Sequence, residues 1–353
     1  MIEVEEFVRQ LNAGGVDFFT GVPDSLLKSF CAYVTDQCAD RHVIAANEGG
    51  AVGLAVGHYL ATGRMACVYM QNSGQGNAVN PLASLADPDV YSIPMLLLVG
   101  WRGMPGVHDE PQHVKQGKIT LSLFETMGIP STVIPDADWK GVVESAVKQA
   151  VNESRPVALV VKKGLFEPYA LQTQQPDIAD LPRERAIGQL LETLPRDAVI
   201  VSTTGMISRE LYETRIRRGE GHEHDFLTVG SMGHASMIAL GIAKARPSRK
   251  VICLDGDGAS IMQMGNMAIV GQSHCGNLTH IILNNAAHDS VGGQPTVGGD
   301  IDLPAIAAAV GYNQLGHPVF RQILVAKGAR VDLGRPKESP RDNRILFMKE
   351  LSR

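Results

Sequence analysis

The sequence predicts an α/β protein of two doubly wound parallel-sheet domains, with no room for a middle domain between them. Three observations lead there. Each half alternates short apolar runs with helix-length segments; a polar, Pro- and Gln-bearing stretch separates the halves; and several apolar runs end in glycine and polar residues, as strands do at ligand-binding edges.

In the first half, 18–20, 43–45, 66–70, 95–99 and 157–161 read as buried strands, and 24–33 and 49–60 as helices between them. The linker falls at 167–185, which holds Gln172, Gln174, Gln175, Pro176 and Pro182. The predicted domains are therefore 1–166 and 186–353. In the second half 198–202, 251–254 and 280–283 read as strands, with helices at 186–194, 235–245 and 261–270. Between Tyr312 and Val325 only about a dozen residues remain, short of a usual βαβ crossover. Either a segment is absent there or the sheet edge is trimmed.

Composition narrows the function. The chain has 353 residues, a formal net charge of −5 and well-mixed charges, which gives no nucleic-acid footprint. Cys31, Cys38, Cys67, Cys253 and Cys275 show no CxxC spacing and sit among apolar neighbours, so buried thiols in a reducing compartment are expected. No basic and apolar leader and no membrane-length apolar run are present, so a soluble cytoplasmic protein is expected.

The richest stretch runs from Arg249 to Asn285. A strand leads into Gly256-Asp257-Gly258-Ala259-Ser260, a helix follows, and a second strand ends in Asn284-Asn285. Glycines at 256 and 258 let phosphate oxygens approach the backbone, and Ser260 is expected to open the helix. Asp257 and Asn285 are oxygen donors suited to Mg²⁺ held partly by phosphates. GDG alone is most often a turn; the Asn pair 25 residues later gives it a second strand end to work with.

This pairing resembles the fingerprint of the thiamine diphosphate enzyme family, and the resemblance covers nearly the whole chain, its halves matching the pyrimidine-binding and diphosphate-binding domains. Carried over by position, it implies Asp257, the Asn285 side chain and the Ala287 carbonyl as Mg²⁺ ligands, with Gly256, Gly258, Ala259 and Ser260 beside the cofactor diphosphate. Glu48, in Asn47-Glu48-Gly49-Gly50, reads from its residues as a carboxylate favouring a helix N-terminus. The resemblance implies that it shares a proton with N1′ of the aminopyrimidine. Met232, in Gly230-Ser231-Met232-Gly233-His234, corresponds to the apolar wedge beneath the bent cofactor, although Met is also a common gap-filler. Thr204 and Gly205 offer donors to the diphosphate or an ordinary helix start. Gly74-Gln75-Gly76 lacks the third glycine of a dinucleotide fingerprint, and Asn72 to Asn77 reads as a loop near the cofactor.

Longer strings are similar to the phosphonopyruvate decarboxylase branch of that family: Gly21-Val22-Pro23-Asp24-Ser25, Tyr69 to Asn77, Gly100-Trp101-Arg102-Gly103, Asp109 to His113, His288 to Thr296, Gly328-Ala329-Arg330 and Leu333-Gly334-Arg335-Pro336. They imply non-oxidative decarboxylation of a 2-oxo acid bearing a second anionic group, 3-phosphonopyruvate in the first instance. The alternatives are 3-sulfopyruvate, carboligation of another 2-oxo acid, and a degenerate binding protein. Asp24, Ser25, His113 and His288 lie in strand-to-helix loops and suit substrate handling, with the two histidines as proton relays; structural or surface histidines are equally common. Arg102, Lys115 and Arg335 are candidate partners for the phosphonate, or plain solvated charges. The family also implies at least a homodimer with active sites shared between subunits.

Overall fold

The structure is a computed structural model describing residues 1–173 and 175–352. It contains two compact units, 1–174 with 291–294, and 175–290 with 295–353.

The first unit holds strands β1 (Val16–Gly21), β2 (His42–Ile44), β3 (Met65–Gln71), β4 (Met95–Gly100), β5 (Ser131–Val133) and β6 (Pro156–Val161). They form one parallel sheet in the order β2-β1-β3-β4-β6-β5. Helices α1 (Val4–Ala13), α2 (Lys28–Gln37), α3 (Glu48–Thr62), α4 (Gln75–Pro81), α5 (Pro111–Thr126) and α6 (Trp139–Glu153) cover it. β3, β4 and β6 are apolar along almost their whole length because both faces are packed. One face carries Phe7, Phe30, Tyr69 and Trp139, and the other Val52, Met70, Leu97 and Phe124. α2 starts at Lys28, later than the expected Asp24, because the Asp24 carboxylate is used in a tight turn that accepts the Leu26 amide.

The second unit holds β7 (Val199–Ser202), β8 (Asp225–Leu227), β9 (Val251–Gly256), β10 (Leu278–Asn284) and β11 (Val319–Leu324), parallel in the order β11-β10-β9-β7-β8. Its helices are α7 (Arg183–Thr193), α8 (Met206–Arg217), α9 (Ala235–Ala245), α10 (Asp257–Met262), α11 (Gly265–Gly271), α12 (Leu303–Ala309) and α13 (Pro340–Leu351). The expected helix over 261–270 is two short helices, broken where Gln263 leaves helical geometry at φ −128°, ψ 47°. The short interval after Tyr312 contains β11, whose residues Val319 to Leu324 pair with Thr279 to Asn284; α12, lying before that interval, is the crossover. β11 thus forms the sheet edge, with no α-helix among the described residues between it and α12.

Between Val161 and Arg183 no helix or strand occurs among the described residues. All five cysteines are buried and unpaired. No helix among the described residues is long and apolar enough to cross a membrane.

Candidate active site

In the first unit the relevant residues follow the carboxyl ends of β1, β2, β3 and β4, on one edge of the sheet. The Asn47 side chain accepts the Gly50 amide at 2.9 Å, which starts α3 and fixes Glu48 in its first turn. Glu48 is buried, with 5% of its surface exposed. Asn77 Nδ2 donates to Glu48 Oε2 at 2.7 Å. A Cβ at Gly74 would collide with the Glu48 carboxyl, so glycine there makes room for it. Burial pushes the Glu48 carboxyl above the usual range, and the Asn77 hydrogen bond only partly offsets this. Such a carboxyl gives up its proton less readily than a solvated one.

The β1 and β4 loops bring Asp24, Ser25 and Arg102 together. Asp24 is fully buried and accepts from Gln71 Nε2 (2.6 Å) and the Leu26 amide (3.0 Å); burial raises its pKa. Arg102 Nη1 donates to Ser25 Oγ at 2.8 Å, while Nε and Nη2 grip the Asp109 carboxylate at 2.8 and 2.5 Å. Among the causes that act on Asp109, burial works upward, but Arg102 and the Gly103 amide win and hold its pKa at about 2. Trp101 Nε1 donates to the Gly117 carbonyl, and Gly103 and Gly117 pack so closely that a Cβ at either would strike backbone, which presses this loop against α5. His113, on α5, is buried, and desolvation lowers its pKa to about 4. Asn72 is buried and committed within the unit: Nδ2 donates to the Arg102 carbonyl and to Thr120 Oγ1, each at 2.8 Å, and Oδ1 accepts the Arg102 amide. Lys115 is exposed on α5.

In the second unit Asp257 and Asn285 meet at the ends of β9 and β10. Both are buried, and the Asn285 amide donates to the Asp257 carboxylate. Thr296 Oγ1 also donates to Asp257 Oδ2, and a Cβ at Gly298 would strike that carboxylate. Asn285 Nδ2 donates to Asp289 Oδ2 at 2.6 Å, and Asn285 Oδ1 accepts the Ala287 amide at 3.1 Å. His288 is partly buried beside Gly258, and desolvation lowers its pKa to about 4. His113 and His288 are thus neutral at pH 7, the form that accepts a proton.

α10 begins at Asp257 rather than Ser260, and Ser260 Oγ donates to Asp255 Oδ2 at 3.1 Å. Ala259 is buried, and Gly256 and Gly258 lie partly open around it. Thr204 Oγ1 accepts the Gly230 amide at 3.0 Å, tying the end of β7 to the Met232 turn. Gly205 caps α8 at φ 95°, and Gly230 and Gly233 take φ 70° and 87°, so the turn presents a partly exposed Met232. Arg335 is exposed in the C-terminal segment.

Burial raises the Asp257 carboxyl although its hydrogen bonds oppose the shift. A divalent cation would supply the missing charge, and the donor set of carboxylate, amide and backbone carbonyl is all oxygen, as magnesium requires. Cys253, Asp255 and His280 form a buried group of potential ligands in the core beneath, but Asp255 is already used by the Gly256 amide and Ser260.

Residues 4–123 match the thiamine pyrophosphate enzyme N-terminal TPP-binding domain, and residues 203–332 the C-terminal TPP-binding domain. The chain is 35% identical to a phosphonopyruvate decarboxylase of Streptomyces viridochromogenes over 96% of its length and 92% of the relative. It is 33% identical to that of Streptomyces hygroscopicus over 97% and 92%. A sulfopyruvate decarboxylase of Methanosarcina acetivorans is 29% identical over 87% and 82%. The chain belongs to the thiamine diphosphate enzyme family. Asn77 and Gly74, which fix the Glu48 carboxyl, and Asp109, which holds the Arg102 loop, carried no role in the sequence; Asn77 and Gly74 meet Glu48 only through the fold, and Asp109 meets Arg102 seven residues away across a loop.

Proposed function

We propose that this protein is a thiamine diphosphate- and magnesium-dependent carboxy-lyase that converts 3-phosphonopyruvate to phosphonoacetaldehyde and carbon dioxide. The observation that carries this reading is the similarity to both Streptomyces enzymes along nearly the entire chain. The site chemistry supports it. Bound thiamine diphosphate supplies the electron sink for decarboxylation. Glu48 holds a proton at the aminopyrimidine, because its buried carboxyl ionises reluctantly. Asp257, Asn285 and the Ala287 carbonyl hold the magnesium that binds the diphosphate, with Gly256, Gly258 and Ala259 beside it. Met232 supports the cofactor rings. Arg102, oriented by Asp109 and Ser25, meets the substrate's phosphonate, since a gripped guanidinium presents a fixed charge. His113 and His288 accept and return protons around the substrate carbon.

Sulfopyruvate is the second reading, favoured by the match to the Methanosarcina enzyme. Carbon dioxide release from phosphonopyruvate, sulfopyruvate and pyruvate, with cofactor and magnesium present, tests both. Phosphonopyruvate should have the highest kcat/KM; a sulfopyruvate preference would overturn the substrate assignment, and no release from any would overturn the reaction.

The chain is also proposed to act as a homodimer or larger assembly, with Glu48 and Asp257 of different subunits serving one cofactor. Support comes from α3, whose outward face carries Gly50, Gly53, Leu54, Gly57 and Leu60, the last 72% exposed. A small-residue apolar helix face of this kind suits close packing against a second copy.

A further inference from the structure

Asp289 lies four residues beyond Asn285, and one of its oxygens gathers three donors. Oδ2 accepts from Asn285 Nδ2 at 2.6 Å, Arg183 Nη1 at 3.0 Å and the Gly328 amide at 2.9 Å. Arg183 is almost wholly buried and has no spare nitrogen. Its Nε and Nη2 fork onto Glu210 at 2.8 and 3.1 Å, and Nη2 also donates to the Gly328 carbonyl at 3.1 Å. Gly328 is therefore held through both its amide and its carbonyl. The segment around it is docked along α7 and α8: Arg330 pairs with Glu184 and Glu213, and Gly334 donates to Glu213.

A carboxamide has two faces of opposite polarity, and rotation by half a turn exchanges them. With the Asp289 carboxylate beside Asn285, the flipped form would set two oxygens against each other. The observed form points Nδ2 at Asp289 and leaves Asn285 Oδ1 facing away, with one lone pair on the Ala287 amide and the other open.

We propose that Asp289, anchored by Arg183 and the Gly328 amide, is a positioning residue that orients the Asn285 carboxamide for the magnesium ion, so that Arg183 and Gly328 brace the metal site. The inference rests on the proposed role of Asn285 as a ligand. It gives Gly328, in the C-terminal Gly328-Ala329-Arg330 string that otherwise has no role, a physical task. Partners one step removed from a metal commonly govern affinity in this way.

The test measures magnesium affinity of the full chain by calorimetry at saturating thiamine diphosphate, for Asp289→Asn, Asn285→Ala, the double variant, Arg183→Lys and Glu213→Gln. Asp289→Asn should weaken magnesium about tenfold or more, and the double variant should bind no worse than Asn285→Ala alone, because Asp289 acts through Asn285. Arg183→Lys keeps a charge but loses the fork, so it should also weaken magnesium, and it decides the matter if Asp289→Asn does not fold. Glu213→Gln loosens the docked segment away from Asp289 and should leave affinity within about twofold, small against the outer-sphere effect. Unchanged affinity in Asp289→Asn or Arg183→Lys, additive losses in the double variant, or an equal loss in Glu213→Gln would overturn the brace. If Asn285→Ala itself leaves affinity unchanged, the ligand assignment falls and the brace with it; if only Asp289→Asn is silent, the ligand stands and the brace alone falls.

Discussion

Asn77 Nδ2 donates to Glu48 Oε2 at 2.7 Å, so the buried carboxyl that carries the proposed proton transfer is tuned by a residue 29 positions further along the chain. Burial raises the Glu48 pKa and the Asn77 amide works against it. Asn77→Ala removes the lowering influence, so the basic limb of the kcat/KM profile, where the protonated carboxyl is lost, should move to higher pH, with cofactor affinity little changed. Glu48→Gln should instead cut turnover about 100-fold or more, the scale of general acid–base catalysis, and abolish exchange of the cofactor C2 proton. An unshifted limb in Asn77→Ala would separate the hydrogen bond from catalysis.

Gly74 tests the same carboxyl by shape. A Cβ there would overlap Glu48 Oε1, so Gly74→Ala must push the side chain aside or shift the loop. Overpacking of this sort costs about 1–3 kcal/mol. Activity should fall much further than the thermal midpoint, whereas Gly76→Ala, with no atom within 4 Å of its new carbon, should be nearly silent. Equal activities of the two variants would show that Glu48 has room to move.

Arg102 separates substrate recognition from chemistry. Its Nε and Nη2 hold Asp109 and its Nη1 holds Ser25, a geometry that lysine cannot reproduce. Arg102→Lys should raise KM for phosphonopyruvate about tenfold, the weight of a lost charge-assisted hydrogen bond, and leave slow turnover of pyruvate nearly unchanged. A parallel loss for both substrates would assign Arg102 to loop structure instead.

Much of this was legible beforehand because the informative signals were local. The GDG string, the Asn pair and the apolar run before each mark strand ends, and β9 and β10 end there. β5 and β8 escaped notice because each is three residues that open on polar Ser131-Thr132 or Asp225, with no apolar run like Val43-Ile44-Ala45 at β2 to mark them, and β11 because its exposed edge carries Arg321 and Gln322. The helix expected over 261–270 looked continuous since helical spacing survives the Gln263 break. Asn77 and Gly74 act on Glu48 only because the fold brings them near, and no spacing rule points from Asp289 to its anchor Arg183, 106 residues earlier.

Two histidines away from the metal ligands give stability a pH dependence of known sign. His42 Nε2 lies 2.7 Å from the Tyr69 hydroxyl, and burial lowers the pKa of His42 and of His113 to about 4. Both are neutral in the folded chain while the unfolded forms titrate near the ordinary value of about 6.5. Stability is therefore full above that value and is lost as pH falls towards 4. Urea midpoints at pH 7.5, 5.5 and 4.5 should decline, and His42→Gln, which can still accept from Tyr69, should flatten the decline. An unchanged slope in that variant would remove His42 from the cause.

The outward face of α3 bears on assembly. Carbons added at Gly53 and Gly57 would meet nothing within 4 Å in the chain, so larger residues there leave the single subunit's packing intact. Against a second copy the same positions would be crowded, because small residues are what let helix backbones approach. Gly57→Leu should therefore lower the assembly state by sedimentation while the circular dichroism spectrum is kept, and activity should fall with dissociation. Mixing Glu48→Gln with Asp257→Ala chains under exchange should restore part of the activity, since one arrangement of the pair receives both wild-type residues. A monomer with full activity, or demonstrated exchange without recovery, would sink the shared site, and Gly57→Leu would show whether α3 or another face joins the copies.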